Sequence, residues 1–133
     1  MRLIVHVDGG ARGNPGPSAA AAVLSTPEGE VVGEASELLG VQTNNVAEYR
    51  GLLLGLARAK ELGADEVEVV GDSELVAKQL QGLYKVKHPA MRELHAEALA
   101  ALKDFASWSI RSVPRAQNSA ADALVNQALD AAR

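Results

Sequence analysis

The chain has 133 residues, 47% of them hydrophobic, and no cysteine. That length suits one domain, and the missing cysteines exclude disulfides and thiolate-bound zinc. The net charge of −4 argues against a protein that coats nucleic acid indiscriminately, and no apolar run approaches the roughly 20 residues of a membrane span.

Met1 leads straight into a strand pattern with no basic, apolar and small-residue leader. A secretory signal is therefore not expected, and a cytoplasmic setting is. Leu3, Val5 and Val7 alternate with Arg2, Ile4 and His6, which predicts a strand ending on Asp8. Gly9, Gly10, Gly13 and Gly16 then read as a glycine-rich turn that lets a ligand approach bare backbone. Taken alone, Asp8-Gly9 could equally open a tight hairpin.

Residues 18–26 are small and apolar, and they lie between two turn signals. A short strand is the better reading, although alanine also favours helix. Glu28-Gly29 reads as a hairpin tip, and residues 30–39 return as a third strand. Residues 40–45 read as a polar turn in which Thr43, Asn44 or Asn45 caps the next helix. Apolar residues at helical spacing run from Val46 to Leu62, where Gly63 stops them. Residues 66–71 alternate as a strand that ends at Asp72. Helices are predicted over 73–83 and from Pro89 through Leu102, a strand over 108–113, and a closing helix over 116–132. Aromatic residues make up only 3% of the chain, so Ala, Val and Leu must fill the core.

The order is β-β-β-α-β-α-α-β-α. Short turns pair the first three strands antiparallel. The two later strands each follow a helix and can join the first in parallel through crossovers. The expectation is an α/β fold with a five-stranded mixed sheet flanked by helices.

Four carboxylates then fall in related places: Asp8 and Asp72 at strand ends, Glu48 in the first turn of the first long helix, and Asp122 early in the last helix. Carboxyl ends of parallel neighbours share one sheet edge, where ligands bind. Carboxylates crowded together repel unless a cation joins them. Oxygen-only donors suit Mg²⁺ or Mn²⁺, and two such ions about 4 Å apart can drive phosphodiester hydrolysis without a protein nucleophile. Each acid also has a plain structural reading: Asp72-Ser73 as a helix cap, and Glu48 and Asp122 as partners of helix dipoles.

These residues resemble ribonuclease H of type 1. The matching pieces are Asp8-Gly9-Gly10 with Arg12-Gly13-Asn14-Pro15-Gly16-Pro17, then Thr43-Asn44-Asn45-Val46-Ala47-Glu48-Tyr49, then Asp72-Ser73, and then Asn118 with Ala121-Asp122-Ala123-Leu124. The resemblance implies one ribonuclease H domain over residues 1–133. It implies Mg²⁺-dependent cleavage of the RNA strand of RNA–DNA hybrids, leaving 5′-phosphate and 3′-hydroxyl ends. Asp8, Glu48, Asp72 and Asp122 would be catalytic and would hold two ions, with Mn²⁺ as a substitute. Gly9, Gly10, Arg12 and Asn14 would approach the minor groove, where 2′-hydroxyls mark the RNA strand. Thr43, Asn44 and Asn45 would meet a phosphate, or simply cap the helix. From Lys78 to Arg92 inclusive there are four basic residues and no acidic one, and within it Tyr84-Lys85-Val86-Lys87-His88-Pro89 looks like the family's grip on the DNA strand. Lys85 and Lys87 would contact phosphates there, or form a plain solvated face.

One departure stands out. The loop before Asp122 reads Val113-Pro114-Arg115-Ala116-Gln117-Asn118, with no histidine where many members have one. Arg115 cannot be a base but could neutralise a phosphate, with Asn118 nearby at the substrate. This resembles a histidine-lacking archaeal and bacterial subgroup in which double-stranded RNA is a further expected substrate or ligand. The resemblance also implies a monomer that avoids membranes, or one half of a longer protein with a phosphatase-like domain. A hybrid-binding module without catalysis is the rival reading, but a pure binder would gain from losing the acids.

Overall fold

The computed structural model describes residues 1–132. Strand β1 (Arg2–Ala11) forms where alternate side chains find a core: Leu3, Val5 and Val7 are buried, while Ile4 and His6 are half-buried. β2 (Gly16–Ser25) pairs with it antiparallel, and β3 (Val31–Gln42) pairs antiparallel with β2. After helix α1 (Asn44–Glu61), β4 (Glu66–Gly71) joins β1 in parallel. Helices α2 (Glu74–Leu80) and α3 (Pro89–Leu102) follow, and β5 (Ser107–Ser112) joins β4 in parallel. A 3₁₀ turn (Arg115–Asn118) leads into α4 (Ser119–Ala131). The sheet order is β3-β2-β1-β4-β5, the mixed sheet expected from the chain order.

The alanine run of β2 is strand because both its faces are covered. Ala22 and Leu24 join one core with Leu3, Val5, Leu52 and Leu56, and Ala19 and Ala21 meet Val125 and Leu129 of α4 on the other side. A strand covered on both faces reads as a continuous apolar run. Tyr49 lies wholly inside the larger core, and its hydroxyl donates to Gln79 Oε1 at 2.7 Å.

Several boundaries differ from the sequence reading. β1 does not stop at Asp8 but runs through Gly9 and Gly10 to Ala11. Both glycines lie within the strand rather than in a turn, and Gly9 serves packing. A Cβ on Gly9 would overlap the Ala47 carbonyl, and one on Gly51 would overlap the Asp8 carbonyl oxygen. The bare backbone lets α1 lie directly on β1. β3 runs on to Gln42, and α1 starts at Asn44, so Glu48 stands in the second helical turn rather than the first. α2 ends at Leu80, before 83, because Gly82 takes a φ of +80° just beyond the Gln81 cap. The last helix is preceded by a 3₁₀ turn and begins at Ser119, not 116.

Candidate active site

The parallel pairing of β1 with β4 ends at His6 opposite Val70. Two residues further along each strand stand Asp8 and Asp72, side by side at the carboxyl edge. Asp72 is not spent on a helix cap. Ser73 does that work, its Oγ accepting from Val76 N at 3.2 Å. α1 delivers Glu48 from the adjoining face, because Gly9 and Gly51 let it approach. Carboxylate oxygens of Asp8, Glu48 and Asp72 all lie within 4.8 Å of one another.

Their protonation records the crowding. Burial raises the Asp8 carboxyl above its usual range, and the charge of Asp72 adds to the shift. Glu48 is raised still further, by burial first and then by the charges of Asp8 and Asp72. The Asp8 and Glu48 carboxyls interact directly, and the nearby Gly9 backbone amide opposes part of both shifts. Three oxygen donors that cannot comfortably ionise together are what a hard divalent cation would relieve. The residues fit such an ion.

Around this triad opens a cleft of about 420 Å³. Gly9, Gly10, Arg12, Asn44, Arg115 and Asp122 all reach its wall. Asp122 lies in the cleft but outside the tight triad. Its Oδ1 accepts from Arg115 Nε and Nη2, at 3.2 and 3.0 Å. The arginine in the histidine-free loop therefore engages an acid of the site.

Other expected residues have structural work that the sequence concealed. Asn14 Oδ1 accepts from the Asn44 amide at 3.0 Å, and Asn44 Oδ1 accepts from Ala11 N at 2.8 Å. The two asparagines staple the β1–β2 reversal to the start of α1. Thr43 is the α1 cap, its Oγ1 accepting from Val46 N, and Asn45 is exposed beside it. Asn118, expected at the substrate, is only 1% exposed, and its Nδ2 donates to the Val7 carbonyl at 2.8 Å. Lys85 and Lys87 are exposed on the segment between α2 and α3 and do not line the cleft.

The three histidines stay apart from the cleft wall. His88 caps α3, its Nδ1 accepting from Ala90 N. His95 Nε2 meets the Gln79 carbonyl at 3.0 Å. His6 is held below its usual range by burial and by Arg111. Sequence reasoning missed Asn126, which lines the cleft and touches both Arg12 and Asp122. Its one signal was the four-residue spacing from Asp122.

A family model described as "Reverse transcriptase-like" matches residues 6–128. The bifunctional protein Rv2228c of Mycobacterium tuberculosis is 47% identical over 133 residues, 99% of this chain and 36% of its own length. This chain thus spans about a third of that relative. Ribonuclease HI of Halobacterium salinarum is 45% identical over 97% of this chain and 65% of its own. The crystal structure of the Halobacterium salinarum RNase H1 superposes with a TM-score of 0.95, covering 98% of each chain. LC11-RNase H1, solved in complex with an RNA/DNA hybrid, superposes at 0.93 with 40% identity and 98% coverage of both chains. On this match from strand β1 into helix α4, the chain belongs to the ribonuclease H family.

Proposed function

We propose that this chain is one ribonuclease H domain, a divalent-metal-dependent endonuclease that hydrolyses the RNA strand of RNA–DNA hybrids and leaves 5′-phosphate and 3′-hydroxyl ends. The observation that carries the reading is the meeting of the Asp8, Glu48 and Asp72 carboxylates within 4.8 Å at one sheet edge. The hybrid held by LC11-RNase H1 supports the substrate.

Asp8, Glu48, Asp72 and Asp122 would hold two Mg²⁺ or Mn²⁺ ions, which supply an activated water and neutralise the departing 3′ oxygen. The remaining work falls to the chain. Asp8, close to both Glu48 and Asp72, would serve both metal positions. The backbone of Gly9 and Gly10, bare of side chains, admits the minor groove and its 2′-hydroxyls. Glu48 would accept from the 2′-hydroxyl beside the scissile phosphate. Arg12 and Arg115 bring positive charge to the cleft wall, while Thr43 and Asn45 stand at the amino end of α1, where a phosphate is favoured. Lys85 and Lys87 would meet the DNA strand away from the cleft. Recognition through backbone and shape leaves little sequence preference.

Among the described residues, no helix is long and apolar enough to cross a membrane. The reading includes a monomer acting on hybrids in the cytoplasm, either alone or as part of a longer protein. The test is digestion of labelled hybrid, double-stranded RNA and double-stranded DNA side by side, with Mg²⁺, Mn²⁺ or EDTA. Cleavage of the hybrid's RNA strand only with metal is the expected result. No cleavage of the hybrid under any metal condition overturns the reading.

A further inference from the structure

Helix α4 turns Asp122, Asn126 and Asp130 to one side at four-residue spacing. The middle residue is in contact with two others that no local sequence signal connects. Asn126 Oδ1 accepts from Arg12 Nη2 at 3.4 Å, across 114 positions of chain. Asn126 Nδ2 donates to the Asp122 carbonyl at 3.1 Å and reaches Asp122 Oδ2 at 3.5 Å. The orientation of the amide is set by its partners. Rotating it by half a turn would aim its NH₂ at a guanidinium and its oxygen at a carboxylate, and both contacts would repel.

Asp122 is thus held at both oxygens. Arg115 takes Oδ1 from a side chain that is 72% exposed, where an ion pair is weak and screened. Asn126 takes Oδ2 from a half-buried position on the same helix. Arg12 is likewise held twice, by Asn126 and by Asp130 Oδ1 at 2.8 Å. Arg12 lies where β1 turns towards β2, and it lines the cleft beside the triad.

Resting on the ribonuclease reading, we propose that Asn126 is a positioning residue that couples Arg12, on the substrate side of the cleft, to Asp122, on the metal side. Groups that orient a ligating carboxylate commonly govern metal affinity as strongly as some ligands do. Coupling of this kind is reciprocal: whatever Arg12 binds alters what Asp122 binds, and the reverse.

The test is a double-mutant cycle read on metal binding rather than on turnover. Mg²⁺ is titrated calorimetrically into the wild type, Arg12→Ala, Asn126→Ala and the double variant, with thermal midpoints recorded for each. Asn126→Ala should weaken Mg²⁺ binding roughly 10-fold with little change in midpoint, since alanine suits a helix. Arg12→Ala should change Mg²⁺ affinity when Asn126 is present, and should do so markedly less when it is not. Hybrid affinity measured in EDTA should show the same non-additivity. An equal effect of Arg12→Ala in both backgrounds overturns the proposal, and so does an unchanged Mg²⁺ affinity in Asn126→Ala. Cleavage by the wild type is checked in the same preparation. Its absence removes the ribonuclease reading and this inference with it, whereas cleavage with an additive cycle removes the inference alone.

Discussion

The buried amide of Asn118 donates to the carbonyl of Val7, 2.8 Å away and 111 positions earlier in the chain. Val7 precedes Asp8, and Asn118 precedes α4, which bears Asp122. One buried hydrogen bond therefore ties together the two halves of the acidic site. Asn118→Ala removes the donor and leaves a buried carbonyl unpaired. A loss of about 1–3 kcal/mol in urea unfolding is expected, with a lower kcat at temperatures where the variant is folded. Wild-type stability in the variant would show that the bond contributes nothing.

Gly51 is where α1 crosses the Asp8 carbonyl, and there is no space for a side chain. Gly51→Ala should force the helix outward and cost about 1–3 kcal/mol. Glu48 lies one turn earlier on α1, so activity should fall by more than the loss of folded protein accounts for. The comparison is kcat per folded molecule, with folding measured by circular dichroism.

Asp8→Asn removes a charge that burial and Asp72 already oppose. Without metal, this variant should be at least as stable as the wild type near neutral pH. Its hybrid cleavage should fall to background, and Asp72→Asn should be equally inactive. Metal-dependent cleavage that persists in Asp72→Asn contradicts the site assignment.

The pH dependence follows from the raised values of Asp8 and Glu48. Between the unfolded carboxylate value of about 4 and those raised values, the native state holds protons that the unfolded chain has released. Stability in EDTA should therefore fall as pH rises from about 5 to about 8, because the native state binds more protons there. A divalent ion such as Mg²⁺, held by these carboxylates, would take the place of those protons. It should restore stability most at the alkaline end, by about 2.7 kcal/mol at one hundred times its dissociation constant. Urea midpoints at the two pH values, with and without Mg²⁺, check the sign. A midpoint in EDTA that climbs over this range runs against it.

The chain revealed those parts of the site that depend on the parallel pairing of β1 with β4. Asp8 and Asp72 each close an alternating run, so their meeting followed from the topology. β2 was legible because turn signals bracketed its alanines. Gly9 and Gly10 misled, since a glycine inside a strand and a glycine that makes a turn look alike in one dimension. The same holds for Asn14, Asn44 and Asn118, whose amides stabilise loops through partners 30 or more positions distant. Asn126 was invisible for a further reason. Its meaning depends on where Arg12 folds back, and no local pattern encodes that.

Helix α4 is the helix that covers the Ala19 and Ala21 face of the sheet, resting on the small apolar cluster formed with Val125 and Leu129. The opposite face is secured by a far larger core. Warming should therefore peel α4 away while the strands remain ordered. Asp122 and Asn126 would leave with it, so catalytic inactivation on heating should precede the cooperative melting of the sheet.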